Sequence, residues 1–208
     1  MTRSTEYAGI DSFVHHVDAA RGRDITLLLL HGTGGDEQDL LPLGATLAPG
    51  AALLSPRGKV LERGMPRFFR RLAEGVLDQE DLAFRTMELS AWVRTAITEY
   101  ALPSRVVAVG FSNGANIAAS MLLRNTGVLH QAVLLSPMLP FEPDTPPVLT
   151  DIRVFIGAGM HDAMVPPAQS QRLADVLTAY GADVMMTWTP SGHGITPDEL
   201  DAATHWLR

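Results

Sequence analysis

Seven short apolar runs, at residues 13–17, 25–30, 51–55, 106–110, 132–135, 153–157 and 183–189, alternate with longer stretches of helical periodicity. Several runs are apolar almost throughout, as parallel strands covered on both faces tend to be. Helices are predicted at 38–48, 78–100, 113–125, 167–180 and 197–207. Pro167 and Pro197 stand where a first helical turn accepts proline, and Gly181 follows the fourth helix as a stop signal. This alternation implies an α/β architecture: a mostly parallel central sheet of about seven strands, flanked by helices and joined by right-handed crossovers. Open sheets of this kind bind ligands beyond the carboxyl ends of their strands. Any residue that carries chemistry should therefore directly follow a strand.

Composition narrows the class. Of the 208 residues, 46% are hydrophobic and 19% charged, which suits a packed core and excludes global disorder. No repeat, low-complexity tract or linker divides the chain, so residues 1–208 read as a single domain. A net charge of −7 lacks the basic footprint of a general nucleic-acid binder. No apolar run approaches the ~20 residues of a membrane helix, and residues 1–20 contain no leader-like apolar core. Cysteine is absent, which excludes disulfides, thiol catalysis and cysteine-bound zinc. No histidine–carboxylate cluster stands at metal-ligand spacing. The expectation is a cytoplasmic protein without cofactor or metal, acting on a small molecule; a homodimer is allowed but not required.

Gly110-Phe111-Ser112-Asn113-Gly114 follows the apolar run 106–110 and opens a helical pattern, the strand–turn–helix setting in which G-x-S-x-G carries chemistry. A serine hydroxyl needs a sharp turn to expose it and a base to remove its proton. The helix behind it aims backbone N–H groups at developing negative charge. The plain alternative is a glycine-flanked helix N-cap. A second motif, His31-Gly32-Thr33-Gly34-Gly35, follows the run 25–30; it lacks the lysine and spacing of a phosphate loop. The amides of Thr33 and Asn113 stand where two oxyanion donors are needed. In the chain order Ser–Asp–His, His193 within Pro190-Ser191-Gly192-His193-Gly194 is the base. Asp162 is the acid that directly follows a strand, and it would fix the imidazole tautomer. His161 reads as a surface or supporting group, His205 as a helix-face residue, and His130 lies at the wrong end of its strand.

Together these residues resemble the α/β-hydrolases. More narrowly, they are similar to the small phospholipase/carboxylesterase family that includes acyl-protein thioesterases. Ser55-Pro56-Arg57-Gly58 and the stretch from Arg67-Phe68-Phe69-Arg70-Arg71 to Glu80-Asp81-Leu82 further resemble a bacterial subgroup. Its members are known as carboxylesterases or as hydrolases linked to hydroquinone stress. The resemblance implies an α/β-hydrolase fold, a Ser112–His193–Asp162 triad, and an acyl-enzyme route for small carboxylic esters. The sequence departs from the thioesterases at Asn113, where glutamine is usual, and at Thr33, where leucine is usual. Thioesterase or lysophospholipase activity, or a non-catalytic binding module for stress response, are the alternatives.

Between the strands at 132–135 and 153–157 lie 17 residues, 136–152, that include five prolines. They cannot build a helical lid, so the expectation is a shallow, open site without a lid domain. Residues 57–71 hold six cations against Glu62, a net +5 in a chain of net −7. Arg57 and Arg67 are candidates for an anionic group on the substrate. The competing reading pairs the cations with Glu74, Asp78, Glu80, Asp81 and Glu88. Phe68 and Phe69 either wall the pocket or pack in the core.

Overall fold

A computed structural model describes residues 9–208; residues 1–8, the start of the segment read as lacking a leader, lie outside the described residues. A short 3-10 turn (Ile10–Ser12) leads into β1 (His15–Asp18), β2 (Thr26–Leu30), α1 (Leu41–Leu47) and β3 (Ala52–Pro56). Two small hairpins follow, β4 (Val60–Glu62) with β5 (Met65–Arg67), and β6 (Arg71–Ala73) with β7 (Val76–Leu77). The rest alternates: α2 (Gln79–Glu99), β8 (Val106–Phe111), α3 (Asn113–Leu123), β9 (Leu129–Leu135), β10 (Arg153–Gly159), α4 (Pro167–Ala179), β11 (Asp183–Thr189) and α5 (Pro197–Leu207). The central sheet runs β1-β3-β2-β8-β9-β10-β11. Only β1, at one edge, is antiparallel. The expected mostly parallel seven-stranded sheet is thus present.

The apolar runs have a direct cause. Side chains alternate across a strand, so Leu28 and Leu30 join the core under α2, α3 and α4, while Leu27 and Leu29 join the core under α1 and α5. Both faces are covered, and every residue of β2 is buried. Trp92 of α2 closes one core against Phe13, with ring centroids 5.0 Å apart. Phe155 and Trp206 close the other at 6.0 Å.

Element boundaries shift for local reasons. The helix expected from residue 38 begins at Leu41, because the Asp36 carboxylate accepts the Gln38 N–H at 2.7 Å and holds a turn there. The helix expected to reach residue 125 stops at Leu123; Asn125 is left-handed at φ 47°. The strand expected at 132–135 starts at Leu129, since it pairs with β8 on one side and β10 on the other. His130 therefore lies within β9, where its Nδ1 accepts the Val106 N–H at 3.2 Å. The first run, 13–17, gives only His15–Asp18 as strand, with Phe13 turned into the core. Residues 57–71, read as loop, instead lie in the two hairpins, which run on to Leu77; Arg63 and Gly64 both have positive φ, as a tight two-residue turn requires. Residues 136–152 contain no helix. Among the described residues, no helix is long and apolar enough to cross a membrane.

Removing the buried Leu28 side chain should expose the dependence on two-sided packing. Leu28→Ala is expected to lower unfolding free energy by roughly 2–5 kcal/mol, whereas the exposed Leu61→Ala should change it by no more than about 0.5 kcal/mol. Urea unfolding of both variants checks this.

Candidate active site

Each chemistry-bearing residue follows a parallel strand at its carboxyl end. Ser112 follows β8, Asp162 lies three residues past β10, His193 four past β11, and Thr33 three past β2. Ser112 sits at φ 50°, ψ −111°, a strained conformation for a residue with a side chain. Close packing holds it there. A methyl group on Gly114 would overlap the carbonyl oxygen of Leu30, and one on Gly110 would lie 2.6 Å from the Gly114 oxygen. The Ser112 N–H donates to Leu135 O at 2.9 Å, tying the turn to the end of β9.

Three side chains form one hydrogen-bonded row. Ser112 Oγ lies 2.8 Å from His193 Nε2, and His193 Nδ1 lies 2.7 Å from Asp162 Oδ2. Asp162 is buried, and its other oxygen accepts the N–H groups of Met164 at 2.8 Å and Val165 at 2.9 Å. The carboxylate is thus fixed with one oxygen free for the imidazole. The acid and histidine loops are joined directly: Met160 N–H donates to Thr189 O and His161 N–H to Ser191 O. His161 itself is exposed, and His205 lies on α5. Phe111 packs on the His193 ring, with centroids 5.3 Å apart.

Thr33 and Asn113 line the same cleft as Ser112 and His193. Asn113 opens α3, so its N–H belongs to the first turn, which has no intrahelical acceptor. Around Thr33, Gly34 N–H donates to Pro66 O at 2.9 Å and Gly35 N–H to Gly32 O at 3.1 Å. The neighbouring amides are occupied, and the Thr33 amide has no acceptor among the described residues. His31 holds the loop. Its Nε2 accepts the Gly58 N–H at 3.0 Å, so the ring proton lies on Nδ1, which donates to Gly32 O at 2.6 Å. Burial lowers the His31 pKa, consistent with a neutral ring.

The cleft beside Ser112 is small, about 50 Å³, and lined by Thr33, Ser112, Asn113 and His193 on one wall. Arg67, Arg71, Glu74 and Leu77 reach it from the hairpins, and Met138, Met164 and Val165 from the strand ends. The site therefore lacks a helical lid yet is less open than expected, because the hairpins cover one side. A larger surface hollow of about 690 Å³, beside Phe141 and Arg124, contains none of the Ser112–His193–Asp162 row.

Of the three substrate-contact candidates, only Arg67 lines the cleft. Arg57 instead forms a two-pronged pair with Glu37, at 2.5 and 2.8 Å. Phe68 is buried behind the cleft on the His31 ring, and its N–H donates to Asn113 Oδ1 at 2.8 Å. Phe69 belongs to the core. The expected local pairing is partly realised: Arg70 meets Asp78 and Lys59 meets Glu88, both at 2.7 Å. Arg71 pairs with Glu62. Sequence reasoning missed the Glu37 partner, 20 residues upstream, and the structural task of His31. It also missed Arg71 and Met138, which border the cleft only because the hairpins and the 136–152 segment fold over it.

A sheet of this order, with a serine turn after β8 and an acid and a histidine after β10 and β11, defines the α/β-hydrolase class. The family model for phospholipase/carboxylesterase matches residues 16–208. The chain belongs to that family. It is 45% identical over 194 residues to the Bacillus subtilis (strain 168) protein named "Putative hydrolase MhqD", covering 93% of this chain and 97% of the relative. The Bacillus cereus carboxylesterase structure superimposes with a TM-score of 0.90 at 44% identity, over 94% of this chain and 93% of that one. The structure of YahD with malic acid gives a TM-score of 0.87 at 30% identity, over 94% and 98%.

Two outcomes test this construction. Gly114→Ala, which drives a methyl into backbone rather than a movable side chain, should cost at least about 1–3 kcal/mol. Gly194→Ala, with open space around it, should be near neutral, and thermal unfolding separates the two. The His31 pKa is lowered in the folded state, so below about pH 6.5 the unfolded chain takes up a proton that the folded chain resists. Stability should fall as pH drops from 6.5, and His31→Asn should flatten that slope. Glu37 and Glu62, held low mainly by hydrogen bonds from Arg57 and Arg71, lose their contributions only below about pH 4.5, a separate window. Urea midpoints between pH 7.5 and 5 give the comparison.

Proposed function

We propose that the protein is a serine carboxylesterase that cleaves small carboxylic esters through an acyl-enzyme. The observation that carries this reading is the unbroken Ser112–His193–Asp162 row. His193 Nε2 takes the Ser112 proton as Oγ attacks the ester carbonyl, and the carbonyl oxygen becomes an oxyanion held by the Thr33 and Asn113 amides. Collapse of the tetrahedral adduct breaks the bond to the alcohol oxygen. His193 returns its proton to that oxygen, and the alcohol leaves. Water then attacks the acyl carbonyl while His193 takes its proton, and passes it back to Ser112 Oγ as the acid departs. Asp162 accepts the Nδ1–H throughout, fixing the tautomer and stabilising the imidazolium.

The small cleft favours short acyl groups over long lipid chains. Membership of the phospholipase/carboxylesterase family and the likeness to the Bacillus cereus carboxylesterase support an ester bond as the target. The malic acid in the YahD structure suits a cleft that takes small, polar acids. A non-catalytic binding module has no need of a serine strained to φ 50° and aimed at an oriented imidazole.

Kinetics of variants on a short-chain nitrophenyl ester provide the test. Ser112→Ala and His193→Ala should each lower kcat by roughly 10⁴–10⁶-fold, and Asp162→Asn by about 10⁴-fold. Near-wild-type turnover in Ser112→Ala would overturn the reading.

A further inference from the structure

The cleft holds a guanidinium that the protein pairs only weakly. Arg67 is only 4% exposed, an unusual setting for a guanidinium. Its Nη1 donates to Thr33 Oγ1 at 2.6 Å and its Nε to Phe69 O at 3.2 Å. The nearest carboxylate, Glu62, comes no closer than 3.3 Å, at Nε. That carboxylate is engaged by Arg71, whose Nε lies 3.0 Å from both of its oxygens. Two guanidinium groups thus share one carboxylate, and Arg67 has the poorer share. Among the described residues, Arg67 Nη2 has no acceptor. Burial, followed by the charge of Arg71, pushes the Arg67 pKa down, the signature of an under-compensated cation. Glu74 also borders the cleft, but it is exposed and solvated.

Asn113 packs beside Arg67. It is 2% exposed; its Oδ1 accepts the Phe68 N–H, while its buried Nδ2 has no partner. Both residues line the same cleft as Ser112. Arg67 lines the cleft with a guanidinium N–H edge that no acceptor among the described residues takes up, and a weakly compensated cation there calls for an acceptor with negative charge. We propose that Arg67 binds a free carboxylate on the acyl part of the substrate, so that the enzyme prefers half-esters of short dicarboxylic acids. This rests on the esterase reading above and names its substrate class.

The spacing follows from the contacts. Arg67 Nη1 touches the Thr33 hydroxyl, three bonds from the Thr33 amide, so the guanidinium and the proposed oxyanion donor are separated by roughly 5 Å. A carboxylate two or three carbons from the scissile carbonyl spans that gap.

Monoethyl succinate and its uncharged analogue ethyl levulinate, compared by ethanol release, test the proposal. The wild-type kcat/KM should be about tenfold higher for the succinate half-ester, the scale of one charge-assisted contact. Arg67→Gln should bring the ratio near one, while Glu62→Gln, which removes the competing carboxylate, should raise it. Arg172→Gln, on the exposed pair with Glu142, should leave it unchanged. The ratio is internally normalised, so partial loss of folded protein does not move it. Should Arg67→Gln fail to fold, inhibition of the wild-type enzyme decides: succinate should compete at several-fold lower concentration than levulinate. Turnover of ethyl levulinate with no preference for the half-ester, or a preference that survives in Arg67→Gln, overturns this inference and leaves the esterase reading standing. Turnover of neither ester, with no labelling of Ser112 by a fluorophosphonate, overturns both.

Discussion

The backbone at Gly114 passes so close to the carbonyls of Leu30 and His31 that no side chain fits between them. That contact welds the start of α3 to the end of β2, and much of the site is arranged by it. The two strands already run in register, with Leu30 opposite Gly110. With the turn pressed against β2, Ser112 is held at positive φ, and Asn113 lines the same cleft as Thr33. Ser112 and the first turn of α3 are thereby positioned by main-chain packing. Such positioning resists side-chain fluctuation, which is what preorganised stabilisation of a developing charge demands.

The remaining parts are secured from two other directions. On one side, the loops after β10 and β11, which carry Asp162 and His193, are stitched together by the Met160 and His161 amides. On the other, the hairpins brace the loop after β2 through Pro66, while Gly58, at the head of the same segment, holds the ring of a neutral His31. The charge of the 57–71 segment serves mostly this bracing. Arg57, Lys59, Arg70 and Arg71 are all matched to carboxylates, and of the two arginines that line the cleft, Arg67 and Arg71, Arg67 is the more buried.

Much of this was legible in the sequence because the responsible signals are local. Apolar runs such as Thr26–Leu30 announce strands buried on both faces, and the rule that chemistry follows a strand's carboxyl end singled out Ser112, Asp162 and His193. The structure brings these three into hydrogen-bond contact. What stayed hidden depends on contacts distant in sequence. Nothing around Arg57 points to Glu37, and nothing around Phe68 reveals that its N–H caps the Asn113 side chain. The hairpins were missed because strands of two or three residues, rich in arginine, have no periodicity to read. Only the Arg63-Gly64 turn offered a signal. Their position over the cleft also explains why the site is narrower than a chain without a helical lid suggested.

The central claim is that Ser112 becomes covalently acylated during turnover. Quenching the enzyme with acid within the first turnover on nitrophenyl acetate, followed by peptide mass spectrometry, tests it directly. The account predicts an acetyl group on the peptide containing Ser112 and on that serine alone, appearing with the burst of nitrophenol and vanishing as substrate is exhausted. An ester consumed at the full rate with Ser112 unmodified throughout, or with the acetyl group on another residue, would contradict it.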